Sequence, residues 1–193
     1  EASRRLAGVP LLYQPGTQWE YSIAVDVQAA LVEKLSGQPF ADYVRAHIFE
    51  PLKMTETAWR QPDARLPRFA AMNVKKDGKL VQQPAAEAQK LNFEDHALTP
   101  GGFGLASTLD DYSRFARMLL NEGSLDGARI LKPSTVELMA TDQLDPGITE
   151  RAWLPGKRAV GFRFGFGGNQ FVIGKIFVFV CNHYCKEKLQ HYR

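Results

Sequence analysis

Residues 15–26 constrain this chain most, because a turn there runs directly into the first long segment with helical apolar periodicity. Pro15-Gly16 is a turn signal, since proline and glycine are the strongest local breakers of regular structure. Ser22 is a candidate N-cap, because its hydroxyl can accept a hydrogen bond from an unpaired amide of the first helical turn. Tyr21 would then lie just outside the positive end of the helix dipole, where a phenolate is stabilised. We therefore predict that Tyr21 is placed to act as a general base.

The size and charge of the chain favour one domain and argue against two classes of partner. With 193 residues, 45% of them hydrophobic, the chain can bury one sizeable core. Its 24 basic and 21 acidic residues give a net charge of +3 without a basic block, so we expect neither nucleic acid nor an anionic membrane as a partner. The longest apolar run, residues 176–181, is far shorter than the ~20 residues that cross a bilayer.

Two amphipathic helices are predicted after the turn. In the first, apolar residues recur at every fourth position from Ile23 to Leu35, and Gly37 supplies a stop. Pro39 suits the first position of the second helix, which ends before Pro51. The short connection between them makes the two helices neighbours.

A β-hairpin is predicted around Asp77-Gly78. This dipeptide supplies the positive φ angles that a tight hairpin turn needs, and extended segments at residues 71–74 and 79–81 flank it. Residues 52–71 before the hairpin have the composition of an irregular loop, and the polar stretch 82–95 after it lacks periodicity.

A longer helix is predicted to follow Thr108. Thr108 is the candidate N-cap, and Asp111 three residues later completes a capping-box pattern. Gly123 ends this helix, and Pro133 is a favourable first residue for a further short one. The predicted buried face of the longer helix consists of Leu109, Tyr112, Phe115, Ala116 and Leu119.

The C-terminal part of the chain is β-prone. Residues 141–158 still have loop composition, but phenylalanines alternate with small or charged residues over 162–166. Residues 171–180 form a strongly β-prone run, and residues 182–193 are polar and basic, typical of a frayed helix or a disordered tail.

Four segments, in a fixed order, carry a resemblance to a known family. They are PGTQWEYS at residues 15–22, SGQPF at 36–40, IFEPLKMTET at 48–57 and GGFGLAST at 101–108. Together they resemble the serine β-lactamase-like family, which groups class C β-lactamases, DD-peptidases and family VIII carboxylesterases, over roughly residues 10–166. The resemblance implies an α+β fold of the β-lactamase/transpeptidase type, present here in part as the helical region and a few antiparallel strands. It implies a partial domain at residues 1–168 and a divergent C-terminal strand and tail at 169–193.

In that family a serine of a Ser-x-x-Lys helix becomes acylated by the substrate, and the tyrosine of a Tyr-x-Asn motif shuttles the proton. The resemblance gives this catalytic role to Tyr21. A phenol with an ordinary pKa near ~10 is a useful base at neutral pH only if a cation or a helix N-terminus lowers that pKa. The family needs no metal, and we expect no metal or other cofactor here.

The chain departs from the family pattern at two motifs. None of its seven serines is followed by a lysine three residues later, so the family nucleophile would belong to a segment before Glu1. We therefore expect the isolated chain to be unable to form an acyl-enzyme. Phe166-Gly167-Gly168 resembles the Trp-Gly-Gly version of the third motif, which makes Gly167 and Gly168 candidates for the oxyanion side of the site.

Ile23 stands where the β-lactamase pattern has asparagine, and this difference bears on the substrate. An asparagine amide can hydrogen-bond an acylamido substrate, whereas an isoleucine would leave that group unpaired at a cost of about 1–3 kcal/mol. We therefore expect an apolar acyl pocket with Ile23 and Phe103 as candidate substrate-binding residues, and a small-molecule, short-chain ester as the substrate. Residues 101–104 are expected to turn tightly beside the pocket. Asp26 is interpreted as a dipole-complementing acid, a structural hydrogen-bond acceptor or a support for the tyrosine loop.

Alternatives from other classes stay open. One is a noncatalytic truncated or pseudoenzyme domain that binds ligands or forms a homo-oligomer covering its exposed core, and a lesser one is β-lactamase or DD-peptidase activity. The two cysteines are too few for a disulfide scaffold and leave the compartment open between bacterial cytoplasm and periplasm. A zinc-binding tail is a third alternative, although a tail without metal is favoured. Its candidate ligands are Cys181, His183, Cys185 and His191.

Overall fold

The computed structural model describes residues 6–20, 22–141, 143–148, 151–154, 157–158, 164–165 and 168–169. The chain divides into two units, one made of Glu1–Ala24 with Ser113–Arg193 and the other of Val25–Tyr112. The described residues contain helices and short, mostly antiparallel strands, which confirms the predicted α+β class. The predicted boundary after residue 168 stays a prediction, because residues 170–193 lie outside the described part.

Two of the helices that the structure describes have average length, and the others are short. The helices are α1 (Ala24–Ser36), α2 (Phe40–Val44), α3 (Ala85–Ala88), α4 (Lys90–Phe93), α5 (Leu109–Leu120) and α6 (Pro133–Ala140), with a π-helical turn at Arg45–Phe49 and a 3₁₀ helix at Asp63–Arg68. Within this part of the chain, no helix combines the length and the apolar character that crossing a bilayer requires.

The strands are shorter still. They are β1 (Trp19–Glu20), β2 (Asn73–Lys76), β3 (Lys79–Gln82), β4 (Ser124–Leu125), β5 (Ala128–Arg129), β6 (Arg151–Leu154), β7 (Lys157–Arg158), β8 (Phe164–Gly165) and β9 (Gly168–Asn169). β1 pairs in parallel with β6, while β6 with β7 and β8 with β9 pair antiparallel. Residues 141–158 thus contain strands where a loop was predicted, because pairing with distant β1 decides their structure more than local composition does. The strand predicted at 171–180 lies outside the described residues.

Helix α1 begins and ends where its sequence predicts. The Ser22 hydroxyl accepts a hydrogen bond from the Ala24 amide at 3.2 Å, which satisfies one unpaired donor of the first turn. At the other end the Gly37 amide donates to the Glu33 carbonyl at 2.9 Å. The Glu33 carboxylate accepts from the Phe40 amide at 2.9 Å, which ties α1 to the first turn of α2.

The apolar stripe of α1 is exposed. Val27, Leu31 and Leu35 are 44%, 53% and 78% exposed, whereas Ala29 on the opposite side is buried. An amphipathic helix normally turns its apolar stripe toward a core. Here the packed side also carries Asp26, whose carboxylate bonds to the loop at residues 101–102. The described residues therefore leave the apolar side of α1 uncovered.

Two Asp-Gly turns close two hairpins. β2 and β3 pair antiparallel around Asp77-Gly78, whose φ angles of 49° and 79° are those of a tight hairpin turn, so the predicted hairpin is confirmed. β4 and β5 are joined in the same way by Asp126-Gly127, with φ angles of 49° and 84°. This second hairpin was not predicted, because two-residue strands show no alternating pattern.

Helix α5 begins at its predicted cap, but the capping box is only half formed. The Asp111 amide donates to the Thr108 hydroxyl at 3.2 Å. The Asp111 carboxylate, however, accepts from the Glu56 amide at 2.7 Å and from the Thr57 hydroxyl at 2.8 Å. Asp111 thus joins the helix to a loop far away in sequence.

The buried side of α5 also differs from the predicted face. Asp111 and Met118, two turns apart, are buried, while Leu109 and Tyr112 are exposed. A carboxylate can take a buried position when hydrogen bonds satisfy it, as they do here. The other predicted residues, Phe115, Ala116 and Leu119, are half-buried.

A second buried polar residue, Gln61, holds the same loop. Its side chain is 1% exposed, and its Nε2 donates to the Glu56 and Ala58 carbonyls at 3.2 Å and to the Ala106 carbonyl at 3.4 Å. Ala58 and Ala106 also exchange two main-chain hydrogen bonds of 3.0 Å as an isolated antiparallel bridge. Because the buried apolar residues of the Val25–Tyr112 unit are few, these polar contacts define much of its interior. Those apolar residues are Ala29, Phe49, Leu52 and Met54.

Candidate active site

The candidate general base, Tyr21, lies outside the described residues. On one side of it in the sequence, Trp19 and Glu20 form β1 and pair with β6. On the other side, Ser22 caps α1. A helix thus begins shortly after Tyr21, as predicted, whereas the strand that ends just before it was not predicted. The catalytic role of Tyr21 stays a prediction.

The candidate substrate-binding residues Ile23 and Phe103 belong to different units. Ile23 lies in the turn before α1 and is 54% exposed. Phe103 lies in the loop of residues 101–104 and is 62% exposed. Both side chains meet the first requirement for a substrate contact, which is access from solvent.

The first half of the 101–104 loop is held by Asp26. One carboxylate oxygen, Oδ1, accepts from the Gly101 amide at 2.9 Å and from the Gly102 amide at 3.2 Å. Hydrogen bonds to an ionised acceptor are stronger than those between neutral groups. Of the three roles considered for Asp26, the geometry supports that of a structural hydrogen-bond acceptor.

The second half of the loop is held by two side chains from other segments. The Trp59 indole donates to the Phe103 carbonyl at 3.1 Å. Asn92 donates through Nδ2 to the Gly104 carbonyl at 2.6 Å and to the Trp59 carbonyl at 2.9 Å. Every residue of the loop therefore has a main-chain hydrogen bond to a side chain outside it.

Trp59 is a residue that sequence reasoning missed. It lies in the 52–71 stretch, to which no chemistry was assigned, and the only signal there is an isolated aromatic residue among polar ones. Its ring packs near Phe40 and Phe49, with centroid distances of 5.4 and 6.2 Å. This packing fixes the indole that binds the Phe103 carbonyl.

Gly101 packs against the main chain of α1. A Cβ atom at this position would lie 2.4 Å from the Val25 carbonyl oxygen and 2.9 Å from the Ala29 Cβ, which no side chain can tolerate. At Gly102, by contrast, a Cβ atom would meet nothing closer than an Asp26 oxygen at 3.6 Å. The loop can reach Asp26 only because residue 101 is glycine.

A cavity of about 290 Å³ lies beside this loop, within the Val25–Tyr112 unit. Pro100 and Gly104 form part of its wall, which agrees with the predicted turn beside a pocket. Arg45 at its edge bonds to Asp42 and Glu50, and these bonds raise the pKa of the Arg45 guanidinium. Among the described residues, neither a serine nor a cysteine lines the cavity, and the hydroxyls in its wall are those of Thr57 and Thr99. Its apolar lining includes Trp59, Leu91 and Leu98.

Ser107 and Glu56 are engaged in structural hydrogen bonds. The Ser107 hydroxyl lies 2.7 Å from the Thr57 hydroxyl. The hydrogen bonds from Arg68 hold the pKa of the Glu56 carboxyl below its usual range. A carboxyl that is ionised and paired at neutral pH is poorly suited to general acid catalysis.

The remaining candidates fall largely beyond the described residues. Gly167 lies outside them, and Gly168 begins β9, where it pairs with Gly165. The oxyanion role of both glycines stays a prediction. The four candidate zinc ligands of the C-terminal tail also lie outside. Within the described part, no group of three or more histidine, cysteine, aspartate or glutamate residues could hold a metal ion.

The close approach at Gly101 generates a matched prediction. Gly101→Ala is expected to lower the free energy of unfolding by about 1–3 kcal/mol, because the added methyl overlaps the Val25 carbonyl and forces the loop away from α1. Gly102→Ala is the control, and its effect should stay within about 0.5 kcal/mol. Urea denaturation followed by circular dichroism measures both, and equal effects would contradict the proposed packing.

The chain is similar to a known family and to proteins of known name. The chain matches the family model described as Beta-lactamase over residues 1–179. It is 34% identical over 128 residues to esterase EstB from Burkholderia gladioli, covering 59% of this chain and 32% of EstB. It is 30% identical over 162 residues to lovastatin esterase from Penicillium rubens, covering 81% of this chain and 39% of that protein.

The fold comparison agrees with the sequence comparison. The structure resembles that of the LovD6 mutant of simvastatin synthase from Aspergillus terreus, with a TM-score of 0.67 and 25% sequence identity, covering 86% of this chain and 43% of the synthase. The chain thus spans less than half the length of these relatives. The predicted resemblance is confirmed: the chain belongs to the serine β-lactamase-like family, has part of the β-lactamase/transpeptidase-like fold, and has esterases among its relatives.

Proposed function

We propose that this chain forms part of a carboxylesterase that hydrolyses short-chain esters through a serine acyl-enzyme. The observation that carries the proposal is Ile23, an exposed apolar side chain two residues after Tyr21, where the β-lactamase pattern has an amide. An apolar residue there suits an alkyl acyl group and leaves the amide of an acylamido substrate unpaired. The names of EstB and lovastatin esterase support an ester as the substrate class.

The proposed chemistry has two steps. In the first, a serine Oγ attacks the ester carbonyl carbon while Tyr21 accepts the serine proton, and the alcohol leaves with that proton as the carbonyl reforms. In the second, water attacks the acyl-enzyme, Tyr21 accepts its proton, and the serine leaves with that proton as the acid is released. Main-chain amides of Gly167 and Gly168 would donate to the oxyanion formed in each step.

The nucleophile is proposed to come from a Ser-x-x-Lys segment outside this sequence. Each of the seven serines here lacks the lysine three residues later, so none has the partner that lowers its barrier to deprotonation in the family. The chain then contributes the proton shuttle and part of the acyl pocket, and the acyl-enzyme needs both pieces.

Kinetics with p-nitrophenyl butyrate test this proposal. A longer polypeptide that contains this sequence and a Ser-x-x-Lys segment should show a burst of p-nitrophenol and labelling by a fluorophosphonate. Tyr21→Phe should lower its kcat by about 10²- to 10⁴-fold, because the proton then has no acceptor. Tyr13→Phe, at an exposed tyrosine of the same stretch, is the matched control and should leave kcat unchanged.

The isolated 193-residue chain should show neither burst nor labelling. Serine-dependent turnover by the isolated chain would overturn the division of the site between two segments. Equal activity of the Tyr21→Phe and Tyr13→Phe variants would overturn the role of Tyr21.

A noncatalytic binding or oligomerising module is the second candidate function. The observation that favours it is the exposed apolar stripe of α1, formed by Val27, Leu31 and Leu35. Two copies of the chain could cover these stripes against each other, since burying apolar area is the main force in association.

Sedimentation velocity of the isolated chain tests this second candidate. The wild-type chain should sediment as a dimer at micromolar concentration, and Leu31→Glu should sediment as a monomer because a charge would be buried in the contact. Gln82→Glu adds the same charge at an exposed polar position of the β2–β3 hairpin, outside α1, and should stay dimeric. A monomeric wild-type chain would rule the oligomerising function out.

A further inference from the structure

We infer that Asp26 is a positioning residue that fixes Phe103 for contact with the acyl part of an ester. The inference rests on the proposed function for the identity of the ligand. It rests on geometry for the role of Asp26, and all the contacts concerned lie within the Val25–Tyr112 unit.

The loop of residues 101–104 presents a single side chain, because three of its four residues are glycine. Gly101, Gly102 and Gly104 have none, so Phe103 is the only side chain that the loop presents, and it is 62% exposed. A large aromatic ring left in water on a loop bonded at every residue is an arrangement suited to ligand contact. Because the main chain is fixed, the ring has only its own rotations to lose when a ligand binds, which lowers the entropic cost of binding.

Asp26 holds the part of the loop that the other bonds do not reach. Trp59 and Asn92 bind the carbonyls of Phe103 and Gly104, whereas the described bonds to the Gly101 and Gly102 amides come from Asp26. Without the carboxylate, two amides would lose their acceptor, and the Gly101 amide is half-buried. The loop would then be held at one end only, and Phe103 would move with it.

The first turn of α1 holds the loop of residues 101–104. Asp26 is in the first turn of the helix that follows Tyr21 in the sequence. The Gly101 main chain lies directly against the Val25 carbonyl of the same turn. The helix that begins after the predicted base therefore also sets the position of the loop that carries Phe103.

Loss of the Asp26 carboxylate should weaken ligand binding and leave the bond-breaking steps unaffected. Asp26 acts through the loop, so its loss should weaken ligand binding in the same way as loss of the Phe103 ring. Asparagine at residue 26 keeps a carbonyl oxygen that can accept both amide bonds, so Asp26→Asn should rescue the loop although the charge is gone.

The test uses the full 193-residue chain and two measurements. Amide hydrogen exchange by NMR reports the loop, and titration with N-phenylbutanamide, a non-hydrolysable amide analogue of a short-chain ester, reports binding. In Asp26→Ala, exchange of the Gly101 and Gly102 amides should accelerate at least about tenfold, the factor that corresponds to one lost hydrogen bond, and Kd should rise several-fold. Asp26→Asn should stay within about twofold of wild type in both measurements. Phe103→Ala should raise Kd without accelerating exchange.

Several outcomes would overturn the inference. Unchanged exchange in Asp26→Ala would show that Asp26 does not hold the loop. Accelerated exchange with unchanged Kd would show that the contact is structural only, and equal damage by Asp26→Asn would show that charge and not an acceptor matters. If Asp26→Ala does not fold, Asp26→Glu, which displaces the acceptor by one methylene, should give intermediate exchange and Kd, and wild-type values for it would overturn the inference.

The inference and the proposed function fail differently. If the wild-type chain binds no N-phenylbutanamide, the contact between Phe103 and an ester is overturned, even though the exchange data still report on Asp26. If the chain binds it with the expected pattern but the longer polypeptide hydrolyses no ester, the proposed function fails and the positioning role of Asp26 stands.

Discussion

The buried carboxylate of Asp111 is the contact on which the Val25–Tyr112 unit depends. It is 6% exposed and receives hydrogen bonds from the Glu56 amide and the Thr57 hydroxyl, more than fifty residues earlier in the chain. A buried carboxylate that loses one of these donors keeps one hydrogen bond fewer, and such a loss is more costly for a charged group than for a neutral one. The loop and the helix are therefore held in one arrangement. Gln61 strengthens this arrangement, because its buried amide donates to carbonyls from both segments.

The position of the 101–104 loop follows from these contacts. The Ala58–Ala106 bridge fixes the chain just after the loop, and Trp59 and Asn92 then reach its last two carbonyls. Asp26 holds its first two amides from α1. The loop that carries the exposed Phe103 ring is thus held by polar contacts and by close packing at Gly101. The small apolar core of this unit could not fix such a loop by itself.

The sequence was most informative where a local rule decides the structure. The Asp77-Gly78 hairpin, the start of α6 at Pro133 and the limits of α1 all depend on residues within a few positions, and each was predicted correctly. The predicted face of α5 was wrong at Leu109 and Tyr112, which are exposed, and it omitted Asp111, whose partners come from a distant loop that periodicity cannot reveal. The strand β6 was missed for a similar reason, since its pairing with β1 is not local. β7 pairs with β6 and was missed with it. Of the site, the family and the turn beside a cavity were predictable from the sequence. The bonds between Asp26 and the glycine amides were not, because they join residues 75 or more positions apart. The roles of Tyr21, Ile23, Gly167 and Gly168 remain predictions.

The proton-shuttle role of Tyr21 is a prediction from the family resemblance, whereas the structure shows that a few buried polar side chains hold the Val25–Tyr112 unit together. The role of the buried Asp111 carboxylate is tested most directly by the free energy of unfolding of Asp111→Ala. Asp111→Asn is the matched variant, and Thr57→Val completes a double-mutant cycle. Asp111→Ala should lose about 1–3 kcal/mol or more, Asp111→Asn clearly less because its carbonyl oxygen can still accept, and the cycle should show a coupling of about 0.5–3 kcal/mol. The dependence of the unit on Asp111 would be contradicted if Asp111→Ala stayed within about 0.5 kcal/mol of wild type, or if the effects of Asp111→Ala and Thr57→Val were purely additive.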